Sequence, residues 1–275
     1  MTKTRTRVSL LLKILRAIGI AYLIALVLLV FFERSLLYPN PNAATGDWNP
    51  PGIDFEDVWL AAADGTKLHG WYLPCENSRG SVVFFHGNAE DIASCGPEMS
   101  RWRDLLNVTI LVMDFRGYGK SGGKPGEAAL VADGILSANW LAKRQGVPRD
   151  QIVPWGRSIG GGVAAGVAEA NKPRALIMEC TFDSLANVAA EHVPWAPVRW
   201  LMSNQYKSSK RLANFMGRYI QWHGDEDRVV SLASGKRLFA TVGSDKKSFF
   251  LAAGCGHNDP APYEFKSAVQ ALFET

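Results

Sequence analysis

Short apolar runs recur along most of the chain, each closed by a polar cluster and followed by a longer helix-compatible stretch. They read "SVVFFHGN" from residue 81, "VTILVMDFRG" from 108, "QIVPWGRS" from 151, "RALIMECTF" from 174, "RYIQWHGDED" from 218 and "KSFFLAAGCGH" from 247. Unbroken apolar runs belong to strands covered on both faces, and their alternation with helices predicts one mostly parallel sheet. In such a sheet, residues that handle a ligand gather beyond the carboxyl ends of the strands. The ends of these runs carry His86, Asn88, Asp114, Arg116, Ser158, Asp183, Asp225, Asp227 and His257, which are therefore expected to share one crevice. Ahead of them, two β-rich runs flank Asp64-Gly65 and predict a hairpin. At 275 residues with 47% hydrophobic content, the chain supports one main domain, assigned to residues 53–275. The interval 185–213 is rich in Trp, Pro and Ser and has room for a small lid.

The first 34 residues differ from the rest. Six basic residues (Lys3, Arg5, Arg7, Lys13, Arg16 and Arg34) stand against Glu33, so the arm holds +5 of the formal +4 and the remaining body is near −1. A nearly neutral body has no electrostatic footprint for nucleic acid. Between Ala17 and Phe32 the arm is wholly apolar. Sixteen helical residues rise ~24 Å against a hydrocarbon layer of ~30 Å, so the span requires snorkelling arginines or the addition of Leu10–Leu15. Five basic residues precede the run, which places the N-terminus in the cytoplasm and the body across the cell membrane as a single-pass protein in contact with lipid. A cleaved signal peptide is the rival; Ala43-Ala44 follows Asn42 where a small residue is wanted, which disfavours it. Residues 35–52 read as a connector. The cysteines, Cys75, Cys95, Cys180 and Cys255, form no C-x-x-C pair and are expected to be free thiols.

Two stretches match Gly-x-Ser-x-Gly: Gly119-Lys120-Ser121-Gly122-Gly123 and Gly156-Arg157-Ser158-Ile159-Gly160. A nucleophile elbow needs a strand running into the serine and a helix running out of it. Ser158 has both, "QIVPW" before and "IGGGVAAGVAEANK" after. Ser121 instead leads into Lys124-Pro125-Gly126, which ends regular structure, so it reads as part of a loop. A serine hydroxyl attacks only when a histidine takes its proton and an acid orients that histidine. Ser158 is followed by an acidic loop offering Asp225, Glu226 and Asp227, and then by His257. The turn after "SVVFF" supplies an amide at Asn88 that, with the amide of Ile159, suits an oxyanion hole.

The motifs "HGNAED", "DFRGYGKSGGKP", "GRSIGGG", "HGDEDRVV" and "GHND" fall in that order over residues 53–275, and on them the chain resembles the α/β-hydrolase superfamily. With its N-terminal apolar arm and "RSLLYPNP", it is similar in particular to the single-pass group related to abhydrolase domain-containing protein 13. The resemblance implies a sheet of about eight strands, no cofactor, and a triad of Ser158, Asp227 and His257. Asp227 follows from the family's Gly-x-x-Asp pattern counted from Gly224. Pro154 departs from the expected central strand because it lacks a ladder donor. The implied activity is serine hydrolysis of an ester, thioester or amide. Two other classes stand as rivals: a membrane-tethered scaffold, and a dinucleotide site at Gly160-x-Gly162-x-x-Ala165 with Glu179, which leaves the Ser, Asp and His motifs unexplained. His86 and His223 are expected to bond locally rather than bind metal, and His69 and His192 to be ordinary. For Trp195, Trp200, Leu201 and Met202 the alternatives are lining an acyl pocket or touching the bilayer; packing of a crossover helix is the expectation.

Overall fold

A computed structural model describes residues 2–39 and 46–274. The chain opens with helix α1 (Thr2–Phe31) and a short α2 (Glu33–Leu37). Leu10–Phe31 of α1 is long and apolar enough to cross a membrane, as an anchor or as a signal sequence. Its 22 residues rise about 33 Å, so the helix takes in Leu10–Leu15 and runs unbroken past Lys13 and Arg16.

Eight strands then form one sheet: β1 (Glu56–Ala61), β2 (Lys67–Leu73), β3 (Ser81–Phe85), β4 (Thr109–Met113), β5 (Ile152–Arg157), β6 (Ala175–Glu179), β7 (Arg218–Gly224) and β8 (Lys247–Ala252). Their spatial order is β1-β2-β4-β3-β5-β6-β7-β8. The hairpin β1–β2 and the pair β2–β4 are antiparallel; the remaining pairs are parallel. The hairpin turns where expected, with the Thr66 amide donating to Asp64 Oδ1 at 3.0 Å. Pro154 sits within β5 opposite Val83, and the ladder to β6 begins only at Trp155. The residue without an N–H thus precedes that ladder, and the strand keeps its last residues.

The helices between and after the strands are α3 (Ile92–Leu106), α4 (Glu127–Gln145), α5 (Ile159–Asn171), α6 (Leu185–His192), α7 (Val198–Leu201), α8 (Ser208–Leu212), α9 (Leu232–Thr241) and α10 (Tyr263–Phe273). Residues of α4, α5, α8 and α9 share one core with Val83 and Phe85, while α3 and α10 share the other with Val82 and Phe84. Successive strand residues face opposite cores, which is why β3 is apolar at every position. This is an α/β-hydrolase fold with a mostly parallel eight-stranded sheet flanked by helices.

The N-terminal arm is fastened to the body. Glu33 is buried and its carboxylate accepts from the amides of Ser203 (3.0 Å) and Asn204 (2.8 Å) and from Asn204 Nδ2 (2.8 Å). One turn on, the Tyr38 hydroxyl meets that of Tyr206 at 2.9 Å within the core. Higher on α1, Tyr22 donates to the Trp195 carbonyl at 3.1 Å and meets its ring edge-on. Part of the expected connector, 40–45, lies outside the described residues, as does the Ala43-Ala44 pair. Its later part packs back, with Trp48 against Trp71. The interval 185–213 forms α6, α7 and α8. Trp195 and Trp200 do not pack there as expected: they are 51% and 88% exposed.

Glu33→Ala would leave the Ser203 and Asn204 amides without their acceptor in a part-buried setting. The expected loss is about 1–3 kcal/mol, read as a lower midpoint of thermal unfolding in detergent.

Candidate active site

The turn from β5 into α5 holds Ser158 at φ +54° and ψ −120°, a left-handed conformation that a side-chain-bearing residue adopts only under constraint. Three contacts impose it. The Ser158 amide donates to the Glu179 carbonyl at 2.9 Å, and the Ser158 carbonyl accepts from Thr181 Oγ1 (2.8 Å) and the Gly161 amide (3.0 Å). Helix α5 also lies directly against β3: a Cβ on Gly160 would run into the carbonyl oxygens of Phe85 and His86. Glycine is needed here for close approach.

Ser158 Oγ lies 3.0 Å from His257 Nε2, and His257 Nδ1 lies 2.7 Å from Asp227 Oδ2. With Nδ1 donating to the carboxylate, Nε2 is left bare to accept from the serine hydroxyl. Asp227 Oδ1 accepts from the amides of Val229 and Val230, both at 2.9 Å. His223 Nε2 approaches Oδ2 at 3.2 Å while also reaching the Val230 carbonyl at 2.9 Å. Burial opposes the Asp227 charge, but the bonds from His223, His257 and Val230 outweigh it, and the carboxyl is held well below the usual carboxylate range. His223 bonds locally as expected, and its approach to Asp227 four residues on is the part that the sequence did not indicate.

The other residues expected in the crevice divide. Asn88 and Ile159 line the same cavity as Ser158. Asn88 is pinned by its side chain, which donates to the Leu37 carbonyl (2.8 Å) and accepts from Tyr118 (2.7 Å). Asp225 instead accepts from the Gly254 amide at 2.7 Å and is exposed. Asp183 is taken up by Ser234, Asn187 and Arg237. Arg116 is clamped by Asp133 and Asp64. Asp114 accepts from the Ile92 amide at 2.9 Å, and His86 Nδ1 donates to the Gly87 carbonyl at 2.7 Å, the local bond anticipated. These five hold loops together and do not converge on Ser158.

Ser121 is likewise structural. Its buried Oγ accepts from the His69 amide at 2.8 Å and donates to the Asp114 carbonyl at 3.0 Å, tying the Gly-rich loop to β2. His69 itself, expected to be ordinary, is fully buried between Asp57 (2.6 Å) and Asp114 (3.4 Å). All four cysteines are free. Cys180 Sγ comes within 4.8 Å of donor atoms of Asp227 and His257, a cluster with metal-ligand chemistry. Burial raises its thiol far above the ordinary range, and its two neighbours are bonded to each other, which disfavours the thiolate a metal would need.

Two cavities border the site, one on the Ser158 side and one on the His257 side. One, about 420 Å³, contains Ser158, Asn88 and Ile159 and is otherwise walled mainly by apolar side chains of α1, α2, α6 and α7. The other, about 440 Å³, reaches His257 and is lined by Arg157, Glu90, Glu98 and Glu179. Arg157 is engaged there, with Nη2 donating to Glu98 at 2.8 Å.

Residues 76–221 match the model of the family described as serine aminopeptidase, S33. The matched stretch contains Asn88 and Ser158 and ends before Asp227 and His257. The uncharacterized protein Rv2307c of Mycobacterium tuberculosis is 35% identical over 275 residues, covering 95% of each chain. Protein bem46 of Schizosaccharomyces pombe is 28% identical over 255 residues, covering 86% of this chain and 84% of its own. Among solved structures, the Pyrococcus furiosus esterase Pf2001 superposes with a TM-score of 0.69 at 20% identity, over 86% of this chain and 98% of that one, a likeness of fold.

Ser121→Ala removes a buried acceptor from the His69 amide and is expected to cost about 1–3 kcal/mol of stability. Labelling of the protein by a fluorophosphonate probe should survive, because Ser121 touches neither Ser158 nor His257; loss of labelling in a folded Ser121→Ala variant would contradict the structural role.

Proposed function

The chain belongs to the α/β-hydrolase family matched by the serine aminopeptidase S33 model, and on that premise we propose that it is a membrane-anchored serine hydrolase acting through an acyl-enzyme. The hydrogen-bonded line from Ser158 through His257 to Asp227, opening on the 420 Å³ cavity, is the observation that carries this reading. In the first step Ser158 Oγ adds to the substrate carbonyl as its proton passes to His257 Nε2. The amides of Asn88 and Ile159 hold the developing oxyanion; among the described residues neither donates to another backbone group. The tetrahedral adduct collapses, and His257 returns the proton to the departing alcohol, thiol or amine. Water then repeats the sequence on the acyl-serine and frees the acid.

Asp227 orients the imidazole and stabilises its charged form. Its depressed pKa keeps the carboxylate ionised throughout neutral and mildly acidic solution, so it supplies charge rather than a proton. No step in this scheme calls on a cofactor or a metal.

In this reading residues 1–34 form a short cytoplasmic tail and an uncleaved transmembrane anchor. Residues 35–52 connect it to an extracytoplasmic hydrolase domain at 53–275, with a lid at 185–213. The support is the 22-residue apolar span preceded by basic residues, with the fastening of Glu33 and Tyr22 to the body.

Ser158→Ala should abolish fluorophosphonate labelling and lower ester hydrolysis by about 10⁴-fold or more. Asp227→Asn should cost orders of magnitude in kcat, while Asp225→Asn, whose carboxylate faces Gly254, costs little; equal losses would remove the assignment of the acid. For the anchor, the full-length protein should stay with membranes in high salt, since burial is insensitive to screening. Protease outside sealed membranes should then digest the hydrolase domain and spare the tail. Protection of that domain would overturn the topology.

A further inference from the structure

The cavity beside Ser158 is partly built by the arm that leads the chain. Leu29 and Val30 of α1, Leu36 and Leu37 of α2, and Leu201 and Met202 after α6 all line it. Glu33 and His192 also border it, but their polar atoms are engaged: Glu33 by the Ser203 and Asn204 amides, His192 Nε2 by the Val229 carbonyl at 2.9 Å. The chamber therefore presents hydrocarbon to whatever acyl group Ser158 receives, and offers no free charge to hold a polar one.

The depth of its mouth follows from helix geometry. Tyr22, which contacts Trp195, and Glu33, which holds Ser203 and Asn204, are eleven residues apart on the arm, a rise of ~16 Å. Half of a ~30 Å hydrocarbon layer is ~15 Å. If α1 spans, the loop bearing Trp195, which touches Tyr22, enters the leaflet on the hydrolase side. The cavity, lined by both α1 and this loop, then opens toward lipid chains and not toward bulk water.

We propose that the substrate is an acyl ester of a membrane lipid, drawn from that leaflet with its chain passing between α1 and the α6–α7 segment. The inference rests on the serine-hydrolase and anchor readings above. Ser158 Oγ forms the ester with the acyl carbon, the bond from that carbon to the lipid's own alcohol oxygen breaks, and the deacylated lipid leaves with the proton from His257. Water then releases the fatty acid, so ester and water become acid and alcohol.

The test uses full-length protein in phosphatidylcholine vesicles with p-nitrophenyl acetate, butyrate, octanoate and dodecanoate. Ser158-dependent kcat/KM should rise about fourfold per methylene (about 0.8 kcal/mol each) until the cavity is filled. Leu29→Trp from the helix side and Met202→Trp from the loop side should each move the optimum to shorter chains. Val27→Trp, on an exposed position of α1 outside the cavity lining, should leave the profile as it is. A fluorogenic diacylglycerol should be cleaved in the enzyme's own vesicles and spared in separate ones. Ser158-dependent hydrolysis that is flat across the series, unmoved by either tryptophan, or equal for lipid in separate vesicles would overturn the lipid inference and leave the hydrolase standing. Absence of Ser158-dependent turnover for every ester, with no probe labelling, would remove the hydrolase reading itself.

Discussion

The whole arrangement depends on how closely α5 approaches β3. The approach is set by Gly160, whose missing side chain lets the helix start against the carbonyls of Phe85 and His86. That proximity forces the chain to reverse within one residue, and Ser158 takes the left-handed conformation as a result. Three hydrogen bonds from β6 and its following loop and from α5 hold it there. A hydroxyl on such a turn projects beyond the sheet, where the loops after β3, β7 and β8 bring Asn88, Asp227 and His257. Strain at the turn is tolerated because buried strands on both sides over-determine it.

Charge at the site follows a similar economy. A carboxylate buried alone would take up a proton, yet Asp227 is met by two amides and two imidazoles and remains ionised. His223 contributes to this without facing Ser158. Around the acid, polar groups are spent in pairs and small networks, so the surface left to a substrate is mostly hydrocarbon on the Ser158 side and charged on the far side of His257.

Much of this was legible in the sequence. Strand ends were visible because runs buried on both faces are apolar throughout, and the two Gly-x-Ser-x-Gly stretches were separable because Ser158 is followed by a helix and Ser121 by Pro125-Gly126. The parting of Asp227 from Asp225 needed the family's spacing, and the structure brings Asp227 to His257. What stayed hidden depends on pairings between distant positions. Nothing near Glu33 signals that its carboxylate caps amides 170 residues away, and His69 carries no mark of the two aspartates around it. The convergence expected of Asp183 and Arg116 failed because strand-end position says where a side chain starts and not which partner takes it. Trp200 departs from the packing expected of it: an apolar residue in a crossover is expected inside, and here it is outside.

The fastening of Glu33 to Ser203 and Asn204 also has a consequence for biogenesis. The wall that α1 and α2 give to the cavity is made first, and the residues that hold it in place are made about 170 residues later. At a synthesis rate of ~5–20 residues per second, roughly 10 to 30 s separate the two. The contact that fastens this wall has high sequence separation, and it can form only once six of the eight strands, β1 to β6, have been synthesised.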